Sequence, residues 1–234
     1  MISRYVIKIS KSYTGEIIWT IILALWVFML LVPVSRNIFI EFTSIHPYIS
    51  GFIKFLILAT LGDLAGNRII NETWAVNTGT LLKGIIWGII GIMIVLVFTI
   101  FNGGVIAAQA ASKLPGEGSM FLTALLTSVI MNLTFGPIMF LFHKFCDTYI
   151  DMRVVFKEGK ISIKSVIERI DFYNMISFSF FKTIPLFWIP CHTIVFLLPG
   201  VYRVVVSAFL SIALGLLLAV SKKQKSSVGG VAIE

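Results

Sequence analysis

Residues Met131–Asp151, MNLTFGPIMFLFHKFCDTYID, decide what kind of chain this is. The run is apolar enough for lipid, yet Asn132, Gly136, Phe140, His143 and Asp147 recur at i, i+4, i+8, i+11 and i+15. At about 3.6 residues per turn these five share one helical face. Pro137 lies inside the run, where it removes a backbone donor and leaves the Leu133 carbonyl without its helical partner. Lipid supplies no hydrogen bonds, so such a carbonyl needs a neighbouring helix, a hydroxyl or a water. The expectation is a membrane helix whose polar stripe faces a polar interior.

The rest of the chain supports that setting. Its 234 residues are 58% hydrophobic and 13% charged, with a mean hydropathy of +0.98. A soluble domain carries about 25% charged residues, so the composition excludes that class. The formal charge of +8 concerns membrane orientation rather than nucleic acid. Cys146 and Cys191 fall at different depths of different helices, and two free thiols are expected.

Outward from the central run, hydropathy divides the chain into six spans. Residues 1–16 form a basic segment in which Ile2, Tyr5, Val6 and Ile9 fit an interfacial helix. Ile17–Val34 is the first span, retained because no small-residue cleavage site follows it. A loop over 35–50 leads to Tyr48–Ile70, then Thr80–Phe101, a glycine-rich loop over 102–119, and Met120–Cys146. Ile163, Val166, Ile167 and Ile170 predict a second interfacial helix. Phe172–Leu198 is a span broken by Pro185 and Pro190, and Val201–Val220 precedes a flexible basic tail over 221–234. The fold expected is an all-α, polytopic membrane helix bundle with a single transmembrane domain over 17–220.

Basic residues gather in the N-terminal segment, in the loop after the second span, between Arg153 and Arg169, and in the tail. The other side holds only Arg36, Lys113 and Arg203. The positive-inside rule then puts both termini in the cytoplasm of a bacterial cell, or inside the mitochondrial inner membrane of a eukaryotic one.

Several residues are candidates for chemistry. Asp63 and Lys182 are charges at overlapping depth, where an unpaired ion costs about 2.5–3.5 kcal/mol, so an ion pair is expected. Lys54 is close enough to a helix start to snorkel. A solute path or binding site would be lined by Asp63, Asn67, Asn132, Gly136, Pro137, His143, Asp147 and Lys182. Gly62 and Gly66, and Gly84, Gly88 and Gly91, offer close helix packing. His143 and Asp147 have the i, i+4 spacing of metal ligands, but no third ligand accompanies them, and a hydrogen-bonded helix end is the preferred reading. His192 is read as a satisfied polar residue. The sequons at Asn71 and Asn132 fall on the inner side or within lipid and are taken as chance. No nucleophile elbow, phosphate-binding loop or catalytic carboxylate pair is present in the sequence, so neither an enzyme nor a cofactor is expected.

Four ordered patches carry a resemblance: Gly62-Asp63 followed by Asn67; Gly136-Pro137 with Phe142 and Asp147; Trp188-x-Pro190; and Pro199-Gly-Val-Tyr202-Arg203. Together they resemble the Mpv-seventeen / peroxisomal membrane protein family over residues 47–220. The sequence departs from that pattern in having Asn67 for glutamine, Phe140 for histidine, His143 for tyrosine and Thr193 for glutamine, and in extra length before Gly136. The resemblance implies an integral membrane protein with channel activity toward small solutes and no catalysis.

The leading functional expectation is therefore a channel for small hydrophilic solutes. A secondary transporter with a site at the proline breaks is the alternative. A non-conducting scaffold, presenting Gly84, Gly88 and Gly91 to a partner, is the third class. The partners expected are the lipid bilayer, a small solute and, on the small-residue faces, a second copy of the chain.

Overall fold

The computed structural model describes residues 7–9 and 13–229, with side chains over 13–220. Among the described residues the chain is all-α apart from one short ladder, and six helices are long and apolar enough to cross a membrane. That arrangement fits a multi-pass integral membrane protein. It divides into two compact units: Met1–Gly88 with Ala208–Glu234, and Ile89–Ser207.

The first unit begins with β1 (Ile7–Ile9), which pairs antiparallel with β2 (Trp74–Val76). The expected N-terminal interfacial helix is thus a strand over 7–9, and its remaining residues before Tyr13 lie outside the described ones. Alternation of Ile7, Lys8 and Ile9 satisfies a two-residue period as well as a helical one. Helix α1 (Thr14–Leu31) ends at the extended Val32, and Pro33 opens α2 (Pro33–Ile45). The loop expected over 35–50 is therefore mostly helix. Proline suits the first helical turn, where its missing donor is not needed. Helix α3 (Pro47–Asn71) follows in the same way, with Pro47 at its start as the sequence suggested. Arg68 near its end pairs with Glu16 at the start of α1 at 2.7 Å.

Glycine decides the packing of this unit. A Cβ at Gly62 would lie 3.0 Å from the Ile212 Cα, and one at Gly215 would lie 3.0 Å from the Gly62 carbonyl oxygen. Gly84 faces Thr60, and Gly88 faces the ring of Phe52. Two of the three glycines assigned to a partner-binding face are thus used within the chain, while Gly91 is buried.

The second unit takes its start from α4 (Thr78–Ala110), which contributes to both units. This helix absorbs the first half of the loop expected over 102–119. Gly103 and Gly104 meet nothing within 4 Å, and the helix continues through them because Asn102 and Gln109 find partners on its face. Helix α5 (Met120–Ile150) carries Pro137 inside it and runs into a π-helical turn, Asp151–Val155. Ser162 and Ser165 form a capping box for α6 (Ile163–Arg169). Val166 and Ile170 pack on Met152, whereas Ile163 and Ile167 stay exposed. The expected interfacial helix therefore exists, but half of its apolar stripe is spent on the protein.

The fifth span is irregular, as its prolines demand. It comprises α7 (Phe172–Asn174), a 14-residue π-helical stretch (Met175–Trp188) and α8 (Ile189–Leu197). The amide of Ile189 donates to the Ile184 carbonyl, five residues back. The wider i→i+5 spacing accommodates Pro185, which cannot donate and crowds the carbonyl four residues before it. Helix α9 (Gly200–Gly229) continues past Val220, so the expected flexible tail is helical over 221–229. Residues 230–234 lie outside the described ones.

Candidate functional site

The polar stripe of α5 is brought against α8 and the π-helical stretch. Asn132 is buried, and its Nδ2 donates to the Ser128 carbonyl at 2.8 Å. Its Oδ1 lies 3.1 Å from Nδ1 of the buried His192. With the proton on Nδ1, the imidazole donates and the amide accepts. The Ser128 hydroxyl donates to the Ile189 carbonyl at 2.8 Å, as does that of Thr193. His192 stacks on Trp188 at 5.0 Å and meets the edge of Phe98 at 5.5 Å. Gly136 lets Ile184 approach, and Phe140 contacts Phe180. Asn132, Gly136 and Phe140 of the stripe are thus packed or paired within this unit.

A prediction follows from that pairing. Asn132→Leu leaves the His192 donor and the Ser128 hydroxyl short of a partner and should cost about 1–3 kcal/mol. Pairing it with His192→Phe removes both polar groups and should recover much of the loss. Thermal melts of the two single variants and the double variant in detergent check this; strictly additive losses would rule out the coupling.

The remaining residues expected in a path fall in both units, and each is described within its own. Asp63 and Lys182 belong to different units. Asp63 accepts from the Trp87 indole at 2.7 Å within its own unit. Lys182 is exposed and forms no ion pair among the described residues. Within its own unit the Asp63 carboxylate thus takes a charge-assisted bond from tryptophan. Matching depth constrains only one coordinate, and the helical azimuth of Lys182 turns it outward. Asn67 is exposed. His143 Nε2 lies 3.7 Å from Asp147 Oδ1, beyond hydrogen-bond reach, and both side chains are about four-fifths buried in the last turns of α5. Among the described residues no cluster of three or more His, Cys, Asp or Glu could hold a metal ion. Both cysteines are free.

The chemistry of the second unit concentrates elsewhere. A cavity of about 560 Å³ lies beside the α4–α5 loop and the break between α8 and α9, with Asn102, Gln109, Met120, Phe196 and Arg203 among its walls. Arg203 is held from two sides: Nε donates to the Leu198 carbonyl at 2.9 Å, and an Nη to Asn102 Oδ1 at 2.8 Å. Its guanidinium also lies over the Phe196 ring, 5.4 Å from the centroid. Those contacts leave donors of the fork unassigned, and among the described residues Arg203 forms no salt bridge with a carboxylate. Glu117 lines the same cavity but is exposed.

The loop over 111–119 is fixed by Gln109. Its Nε2 donates to the Pro115 and Gly116 carbonyls at 3.0 and 3.1 Å, and its Oε1 accepts from the Thr123 hydroxyl at 2.7 Å. Gly116 takes φ +87°, a region that favours glycine, and its missing side chain makes room for Leu122. Asn102, Gln109 and Arg203 were not among the residues read as site candidates. Assigning 102–119 to a loop concealed that Asn102 and Gln109 are seven residues apart on one helical face, the one signal available.

Comparison with models of protein families, with curated proteins and with solved structures finds no match.

Proposed function

We propose that this protein is a membrane carrier for a small organic anion, bound in the Arg203 cavity. The observation that carries the reading is a guanidinium fixed by Leu198 and Asn102 at the wall of a mostly apolar cavity, with no carboxylate paired to it among the described residues. Arginine in that setting suits a carboxylate or phosphate approached by two parallel N–H bonds. Pockets of about 300–1,000 Å³ with a few convergent polar groups are typical of small-ligand sites.

A carrier is favoured over the open channel expected from sequence. The Asn132–Phe140 part of the α5 stripe is occupied by packing and pairing with α8 and the π-helical stretch, whereas the Arg203 cavity offers a discrete site of small-ligand size. Arg203 also belongs to the Pro199–Arg203 patch that resembles the Mpv-seventeen family, and a distant relationship is part of this proposal. The cation distribution supports cytoplasmic termini in a plasma membrane, which would open the cavity toward the other side.

The test is flux into proteoliposomes, with labelled mono- and dicarboxylates and inorganic phosphate as solutes. Saturable uptake without single-channel steps is the expected result. Unitary conductance would favour the channel instead. If neither flux nor current appears, the paired α5–α8 surface would favour a scaffold.

A further inference from the structure

The first unit contains its own cavity, of about 390 Å³, between the C-terminal half of α1, helix α2 and the start of α3. Its walls are mostly apolar, with Trp26, Met29, Ile38, Phe39, Phe42 and Ile53, and two hydroxyls, Ser35 and Ser50, also line it. Lys54 also lines it. The snorkelling expected of this lysine does not occur, since it is only 1% exposed. Its Nζ donates to Thr43 Oγ1 at 2.9 Å and lies 4.5 Å from the centre of the Phe39 ring. The Thr43 hydroxyl is already shared with Ser50, 2.9 Å away. Among the described residues Lys54 forms no ion pair.

An ammonium carries three donors and a full charge. One hydroxyl and one ring face are a thin replacement for water, and a buried cation without a counter-ion is costly. The surrounding helix shows where a counter-ion could come from. On α2, Val34, Ile38, Phe42 and Ile45 form an exposed apolar stripe at i, i+4, i+8 and i+11, while Asn37, Glu41 and Ser44 are exposed on the adjoining flank. At 13 residues the helix is about 20 Å long, too short to span. It has the pattern of a helix lying in the membrane interface. Ile38 and Phe42 belong both to that exposed stripe and to the cavity wall, so the cavity borders the acyl-chain region.

We propose that this cavity binds a long-chain carboxylate, with Lys54 as its counter-ion and the chain lying along the apolar walls. A carboxylate brings two oxygens and one charge, which matches a single ammonium. A phospholipid would bring its glycerol and headgroup into walls that are mostly aromatic and aliphatic carbon, with few polar groups to receive them.

Trp26 makes the site observable. The full chain, purified in lipid-free detergent, would be titrated with 9,10-dibromostearate, its methyl ester and a brominated phosphatidylglycerol, reading tryptophan quenching. The expected result is saturable quenching by the carboxylate, at least tenfold weaker binding of the ester and the phospholipid, and loss of the saturable component in Trp26→Phe. Lys54→Met should reduce carboxylate affinity at least tenfold. Should that variant fail to fold, Ile53→Trp, at a partly exposed position, fills the cavity and should have the same effect. Equal quenching by acid and ester, or unchanged affinity in a folded Lys54→Met or Ile53→Trp protein, would overturn the proposal. Preference for the phospholipid would overturn it in favour of a headgroup phosphate.

Discussion

Gly62→Leu should lower the melting temperature of the detergent-purified protein by about 6–12 °C, corresponding to about 3 kcal/mol at roughly 2–4 °C per kcal/mol for a chain of this size. The reason is that α3 and α9 meet backbone to backbone in the first unit. A Cβ at Gly62 would lie 3.0 Å from the Ile212 Cα and 3.1 Å from the Ser211 carbonyl oxygen. No flexible side chain stands in the way that could swing aside, so the helices themselves must separate. Separation also opens the reciprocal contact, where Gly215 faces the Gly62 carbonyl. Overpacking typically costs about 1–3 kcal/mol, and a side chain driven into main chain belongs at the upper end. Small residues matter all the more between membrane helices, where lipid is as apolar as leucine and close contact supplies the attraction. Gly103→Ala is the control. Nothing lies within 4 Å of that position, and helix propensity alone should leave the melt unchanged or slightly raised. A melt for Gly62→Leu within about 1 °C of the parent would mean that the α3–α9 crossing is not what holds this unit together.

Arg203→Gln should weaken binding of the transported anion by about 10- to 100-fold, since a hydrogen bond to a charged group is worth about 1.5–3 kcal/mol and each 1.4 kcal/mol is tenfold. Glutamine keeps a donor that can reach the Leu198 carbonyl or Asn102 but removes the charge and the fork. Arg203→Lys keeps the charge and loses the planar pair of donors, so it should fall between the two. Glu117→Gln should move affinity the other way by a few-fold, because it removes an acidic side chain that lines the cavity. Isothermal titration with the anion identified by the flux screen separates these outcomes. Melting temperatures recorded alongside distinguish lost binding from lost structure, since Arg203 also closes the α8–α9 break through Leu198. Arg203→Gln with intact affinity, in a protein that melts normally, would remove the anion site from consideration.

The all-α class and the six membrane-length helices were legible without coordinates. Runs such as Ile85–Phe101 exclude any other solvent than lipid, and lipid permits helices because every backbone group is then satisfied within its own segment. The proline effects were legible too, because a missing donor acts locally: Pro185 falls within the π-helical stretch, and Pro33 and Pro47 start helices. The glycine pair Gly62 and Gly66 announced a close approach, but not that Gly215 would answer it. Partner choice was beyond the sequence. Helical periodicity gives the azimuth of a residue on its own rod and says nothing of which rod lies opposite. Asn132 was legible as a buried polar group, but its bond to His192, 60 residues away, was not. Asp63 was singled out by its depth alone, and nothing in its own helix announced Trp87 as the donor to its carboxylate. The Arg203 and Lys54 cavities are the clearest cases. Each depends on a void left where three segments fail to fill space, and such a void is a property of their mutual placement, to which no single segment's pattern corresponds.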